Sequence, residues 1–282
     1  MWGKLYITPT PIGNLGDITQ RALSVLKQVH IIAAENIHHT KCLLNYFHIK
    51  TKLMVVHNHN ERQQSSNLIK IIQKGHSIAL VSNAGTPLIN DPGYNLVQNC
   101  RDKEISIIVL PGPCAAITAL IASGLPTNRF CYEGFLPTRQ SARILYLQTL
   151  SYETRTIIFY ESSQRIIETM QDINLILGSK RIVVIAKEIT KTWESIYRST
   201  AGNLLNEMKN NALYYKGELV ILVDGLQSSS NKNIHLQQAL QTLTCLQKES
   251  NISLITAIKI ISKMYGISKN KLYQFFLKNI NI

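Results

Sequence analysis

Three segments rich in glycine and proline have the composition of ligand-binding loops: Thr8–Asp17 (TPTPIGNLGD), Ser82–Gly93 (SNAGTPLINDPG) and Leu110–Ala116 (LPGPCAA). Each follows an apolar run that reads as a strand. Ligands of open α/β sheets bind outside the carboxyl ends of the strands, so three such loops on one edge predict a small-molecule pocket. Glycine lets the backbone approach the ligand there, and proline stiffens the loop. Neither G-x-G-x-x-G nor G-x-x-x-x-G-K-S/T occurs, so the usual pyrophosphate devices are missing. The lack of a G-x-S-x-G elbow removes the simplest hydrolase reading. Metal chemistry has little support. Cys42, Cys100, Cys114, Cys131 and Cys245 are odd in number, never paired as C-x-x-C, and read as buried thiols. His38-His39 lacks helical i, i+4 spacing, and His57-x-His59 has no third partner nearby.

The elements that position these loops alternate. Lys4–Thr8, His30–Ala34, Leu53–His57, Ile78–Ser82 and Ile105–Leu110 read as strands. Ile18–Val29, His39–Phe47, Ser65–Gln73 and Tyr94–Arg101 read as helices, the first with Ala22, Val25, Leu26 and Val29 on one face. Strands that are apolar on both faces predict a largely parallel sheet covered by crossover helices, over residues 1–125. A second α/β domain is expected over residues 126–226. Its strands are Phe130–Phe135, Thr156–Tyr160, Arg181–Ala186 and Leu219–Asp224, and its helices Ser141–Leu150 and Gln164–Leu177. Residues 227–234 read as a polar linker. Residues 235–282 read as a helix-turn-helix-like module, with Ile255, Ile258 and Ile260 or Ile261 on the apolar face of Leu254–Met264.

The net charge of +13 points to a polyanionic partner, although frequent Lys, Asn and Ile also suit compositional drift. Between residues 231 and 282 there are seven Lys and one acid, a local +6. That favours a nucleic-acid contact over a packing hairpin with a solvated lysine face. No apolar run is long enough to span a membrane, and Pro9 and Pro11 come too early for a signal peptide, so a cytoplasmic protein is expected.

Taken in order, several segments together resemble one family. They are residues 10–19 (TPIGNLGDIT), Ala34-Glu35, His57–Glu61 (HNHNE), Ala84–Gly93, Pro111–Cys114, Phe159–Ser162 with Arg165, Lys187–Lys191 (KEITK) and Lys216–Glu218. The chain is similar to the ribosomal RNA small-subunit methyltransferase I family, of the tetrapyrrole-methylase fold, over essentially its whole length. That resemblance implies two α/β domains with S-adenosylmethionine folded between them and a homodimer. It also implies 2′-O-methylation of a cytidine in the decoding region of 16S ribosomal RNA within the small subunit. Carried over by position, the cofactor contacts are Pro11, Gly13, Ala84, Gly85, Thr86, Pro87, Ile89, Gly112, Cys114, Ala115, Tyr160 and Leu219. The chain departs from the family pattern at three acidic positions, now Asn36, Asn58 and Asn83. These changes cost little if the family's acids hydrogen-bond rather than transfer protons.

Methyl transfer to a ribose hydroxyl gains from a base that takes its proton. Candidates are Glu35, Glu61, Asp91, Glu161 and Glu188. Glu35 and Glu161 end strands on the cleft side and are preferred, whereas Asp91, before Pro92-Gly93, reads as a helix cap. His57 and Arg165 suit phosphate or ribose contacts, with Asn60 and Glu61 from the same segment as His57 and Lys269 and Lys271 from the tail. Two other functions stay open. A tetrapyrrole-precursor methylase explains the loops but not the basic tail, and a non-enzymatic RNA-binding derivative accommodates the lost acids.

Overall fold

The computed structural model describes residues 2–210, 216–226, 239–247 and 252–280. The expected linker over 227–234 and the first residues of the tail module, 235–238, lie outside the described residues. The chain divides into two compact units, Met1–Gln148 with Thr156–Asp224, and Thr149–Arg155 with Gly225–Ile282.

The first unit holds two five-stranded sheets. The first sheet comprises β1 (Leu5–Ile7), β2 (Ile31–Ala34), β3 (Lys52–Val55), β4 (Ile78–Val81) and β5 (Ile107–Val109), in the order β3-β2-β4-β1-β5. Every pairing in it is parallel, as its apolar strands require. Period-2 alternation sends Ile78 and Leu80 to one face and Ala79 and Val81 to the other. Helices α1 (Gln20–Gln28), α2 (Ile37–Tyr46), α3 (Glu61–Gln73) and α4 (Tyr94–Asp102) cross over between these strands. Leu80 joins Leu68, Ile72 and Leu96 from α3 and α4 in one core, while Val81 joins Leu26 and Leu44 from α1 and α2 in another. Side chains start the helices: Thr19 accepts from the Ala22 amide, and Asn36 from the His38 and His39 amides.

The second sheet comprises β6 (Phe130–Phe135), β7 (Thr156–Ser162), β8 (Ile182–Lys187), β9 (Ser195–Thr200) and β10 (Glu218–Val223), in the order β6-β7-β10-β8-β9. Only β6 and β7 pair in parallel; the other pairs are antiparallel. Helices α5 (Ala115–Ala122), α6 (Gln140–Thr149), α7 (Ile166–Ile176) and α8 (Ala201–Asn210) accompany it. Ile12 and residues Ala116, Ala119 and Leu120 of α5 pack on Ile158, Val184, Val220 and Leu222, joining the early loops to this sheet. Sequence reading overlooked α5, α8 and β9. The first is apolar nearly throughout and shows no helical stripe, and the last is a half-exposed polar edge strand.

The second unit has its own core. Ala239 and Leu243 from α9 (239–247), Ala257, Ile258 and Ile261 from α10 (Leu254–Tyr265), and Leu272 and Phe276 from α11 (Lys269–Ile280) form it. Gly266 ends α10 in the left-handed conformation at φ 63°, the turn expected between the two helices. The buried stripe is Ala257-Ile258-Ile261, and Ile255 is 79% exposed, against the expected apolar face. Among the described residues no helix is long and apolar enough to cross a membrane.

Candidate active site

The three glycine- and proline-rich loops meet beyond the carboxyl ends of β1, β4 and β5, and hydrogen bonds lock them together. Thr10 and Gly85 form an isolated antiparallel bridge, with N–H to carbonyl distances of 2.9 and 3.0 Å. The Thr86 hydroxyl donates to the Pro113 carbonyl at 2.9 Å. Gly85 takes φ 77°, and a side chain there would press on Ile12. A β-carbon on Gly112 would lie 2.6 Å from the Pro9 ring, so the closeness of two loops, and not only of a ligand, requires glycine there. The second loop also holds Leu88 and Asn90 in the left-handed region, at φ 73° and 65°. Each non-glycine residue so held costs about 1 kcal/mol or more, and such strain concentrates at functional loops.

A cavity of about 310 Å³ opens between these loops and the edge of the second sheet. Its wall includes Ala84, Gly85, Thr86, Ile89, Cys114, Ala115, Tyr160 and Leu219 from the cofactor set, together with both preferred carboxylates, Glu35 and Glu161. Pro11, Gly13, Pro87 and Gly112 do not line it. Gly13 instead lies against Thr190 and Lys191, with no room for a side chain, and so lets the first loop dock beside the second sheet. Sequence reading missed Ile12, Asn90, Phe135, Ile189 and Val220 on the wall. Ile12, Asn90 and Ile189 stand inside the quoted segments and could have been named from them, whereas Phe135 and Val220 reach the cavity only through tertiary packing.

Among the described residues, four acids line the cavity (Glu35, Asp91, Glu161 and Glu218) and no lysine or arginine does. They are not equivalent. The buried Glu161 uses both carboxylate oxygens: Oε1 accepts from the Ser162 amide at 2.7 Å, and Oε2 from the Thr169 hydroxyl at 2.6 Å. Arg165 lies 3.4 Å from that Oε2 and also donates to the Leu136 carbonyl at 2.8 Å. Asp91, by contrast, is pushed up to about 6, because burial outweighs a hydrogen bond from Ser82 and the Glu35 charge adds to the rise. It is no helix cap, contrary to the sequence reading. The α4 amides of Asn95 and Leu96 are taken instead by Glu61 Oε1, at 2.7 and 3.2 Å. Asn83 Oδ1 is buried on this wall with no hydrogen-bond partner. Burial also holds the Tyr160 phenol up at about 12, so it stays protonated while its oxygen accepts from the Ala116 amide at 3.2 Å.

The expected RNA contacts are placed unevenly. Glu61 is only 4% exposed and committed to α4, so it is corrected to a structural cap. Asn60 ties its own loop, accepting from the His57 amide at 2.9 Å and donating to the Val55 carbonyl at 3.3 Å. His57 is half-buried with Nδ1 unpartnered, whereas Lys269 and Lys271 are exposed on α11. The thiol reading is corrected too. Cys42 and Cys245 are exposed, and Cys114 lies on the cavity wall.

Residues 4–205 match the family model of the Tetrapyrrole (Corrin/Porphyrin) Methylases. The chain is 53% identical to a Ribosomal RNA small subunit methyltransferase I of Buchnera aphidicola subsp. Acyrthosiphon pisum, covering 98% of this chain and 97% of that one. It is 49% identical to the protein of that name from Escherichia coli O157:H7, covering 98% and 95%. Among solved structures, a uroporphyrin-III-C-methyltransferase from Thermus thermophilus superposes with a TM-score of 0.54 at 18% identity, over 79% of this chain and 94% of that one. A diphthine synthase superposes with a TM-score of 0.59 at 11% identity, over 79% and 90%. At such identities the solved structures speak for the fold alone, whereas the sequence relatives match along nearly the full length. The chain therefore belongs to the tetrapyrrole methylase family and, within it, to the ribosomal RNA small subunit methyltransferase I family.

Proposed function

We propose that the chain methylates the 2′-oxygen of a cytidine ribose in the decoding region of 16S ribosomal RNA, with S-adenosylmethionine as donor. The observation that carries this reading is the acid-lined, loop-walled cavity of about 310 Å³. Its size falls within the range of small-molecule sites. Its carboxylates suit a cationic sulfonium, and the unpartnered Asn83 Oδ1 offers an acceptor to a ligand hydroxyl or amine. The backbone of Ala84–Thr86 and Cys114–Ala115, with Tyr160 and Leu219, would hold the cofactor. When bound, the cofactor supplies a methyl group already activated by the sulfonium charge.

The protein's part is then to orient the ribose and to receive its proton. Asp91 is the group poised for this task, since a carboxylate held near 6 is ionised at neutral pH yet basic enough to accept a proton. Asp91 would take the proton of the ribose hydroxyl, and the bound cofactor would supply the methyl group that replaces it on that oxygen. Burial keeps Asp91 basic, and the like charge of Glu35 adds to the effect. Glu161, which accepts from the Ser162 amide and the Thr169 hydroxyl and pairs with Arg165, positions these three residues. A homodimer belongs to the same reading, supported by Ile117, Ile121 and Val109, large apolar side chains left exposed.

The test is transfer of labelled methyl from S-adenosylmethionine to small ribosomal subunits. One RNA position should become resistant to alkaline cleavage, because the methylated oxygen can no longer attack the adjacent phosphate. Label recovered on a base, with the ribose unchanged, would overturn the 2′-oxygen assignment.

A further inference from the structure

The amino ends of the first sheet's strands bound a second cavity, of about 550 Å³, lined by Gln28, Val29, His30, Lys50, Thr51, Lys52, Gly75, His76 and Ser77. Its ionisable residues are two lysines and two histidines, with no carboxylate among them. The His30 and His76 rings stack with centroids 4.1 Å apart and an interplanar angle of 19°, presenting a flat pair of donors and acceptors. All four side chains are exposed, as are the flanking Lys27 and Lys74. Among the described residues none of these six takes part in an ion pair. The cavity's own hydroxyls are engaged elsewhere: Thr51 donates to the Leu26 carbonyl at 2.6 Å, and Ser77 accepts from the Lys4 amide at 3.1 Å. The lysine ammonium groups, free of ion pairs among the described residues, are open to a ligand.

Electrostatics gives this surface a task. The cavity at the opposite end of the same strands carries four acids and repels a polyanion. An RNA that delivers a ribose there must gain its affinity at some distance from the reacting atoms. We propose that the amino-terminal edge of the first sheet, through His30, Lys50, Lys52 and His76, grips the phosphate backbone of the RNA substrate at a point remote from the methylated nucleotide. This inference rests on the RNA-methylation reading above and adds a second anchor to it.

The experiment measures binding of the full chain to small ribosomal subunits across a series of salt concentrations, for wild type, for Lys50→Gln/Lys52→Gln and for Lys50→Arg/Lys52→Arg. Each phosphate contact contributes roughly 0.7–0.9 to the slope of log affinity against log salt. The Gln pair should therefore flatten the slope by about 1.4–1.8 and lower affinity roughly tenfold near 0.1 M salt. The Arg pair should behave as wild type, and S-adenosylmethionine affinity, read by calorimetry, should be equal in all three. Adding His30→Gln/His76→Gln to the Gln pair should weaken subunit binding further. A Gln pair that matches wild type in slope and affinity overturns the anchor and leaves the RNA reading standing. Wild type that neither binds nor methylates small subunits overturns both.

Discussion

At the carboxyl ends of β2 and β4 the chain places Glu35, Asn83 and Asp91, and at the amino ends of the same strands it places His30, His76 and Ser77. Asn83 and Asp91 stand on a loop cross-linked to its neighbour and strained at Leu88 and Asn90, whereas His30 and His76 are exposed and free of ion pairs among the described residues. One sheet thus separates two demands that conflict electrostatically. A cationic donor and a proton acceptor need negative charge in a partly dry site, whereas a polyanionic substrate needs positive charge on open surface. The molecule's +13 is therefore better understood by where it is missing, at the cavity, than by its total.

The change that should break the acidic side most severely is Asp91→Asn. Loss of a positioned base lowers turnover by about 10²–10⁴-fold, with cofactor binding retained. Wild-type activity should rise with pH through about 6 and level off above it, as Asp91 ionises. Stability should run the other way. The folded state holds Asp91 above its ordinary 3.8, so its favourable contribution is present at low pH and is lost as pH rises through about 6. Asp91→Asn should then be as stable as wild type or about 1–3 kcal/mol more stable at pH 7, seen as a raised midpoint in urea. Glu161→Gln sharpens the assignment, because it should keep the ionisation near 6 in the rate profile. If Glu161→Gln erases that ionisation and Asp91→Asn does not, the base is Glu161.

A smaller effect is expected at Gly85→Val, which tests whether the loops hold the cofactor through their backbone. Valine is strained at φ 77° and presses on the Ile12 methyl at 3.2 Å. Crowding of this kind costs about 1–3 kcal/mol, so S-adenosylmethionine should bind roughly five- to a hundredfold more weakly by calorimetry. Unchanged affinity would separate this loop from the cofactor. Subunit binding in the absence of cofactor should stay near wild type, since the basic edge lies at the other end of the strands.

Much of this architecture is written locally. The apolar strands and the glycine–proline loops announce a parallel sheet with one active edge, and Ala84, Gly85, Thr86, Ile89, Cys114 and Ala115 of those loops line one cavity. Legibility fails where partners come from afar. Asp91 reads as a cap because it precedes Pro92-Gly93, yet Glu61, thirty-four residues from Asn95, takes the α4 amides and leaves Asp91 for the cavity. Glu161 looks like a free strand-end acid, yet Arg165, four residues on, and Thr169, from α7, both turn back onto it. Asn36, a lost acid by family pattern, accepts from two helix amides, a capping task that an aspartate also performs. The basic edge has no motif at all, because His30, Lys50 and His76 come together only through strand order.

The smallest expected effect belongs to the tail, and it decides whether the basic side of the comparison extends beyond the first sheet. Lys269 and Lys271 begin α11 with exposed side chains, in a unit whose apolar core is already closed by Leu243, Ile258, Ile261, Leu272 and Phe276. Replacing both with glutamine leaves that core intact and keeps helix propensity nearly constant, so the thermal midpoint should not move. If both reach phosphate, the slope of log affinity for small subunits against log salt should fall by about 1.4–1.8, with a several-fold loss of affinity near physiological salt. A quadruple variant combining these changes with Lys50→Gln/Lys52→Gln should show additive slope losses, since independent contacts release independent counterions. If instead the two lysines form only a solvated face, the slope and the affinity will match wild type. The positive charge that serves RNA binding would then be confined to the sheet edge, and the tail's +6 would reflect composition rather than contact.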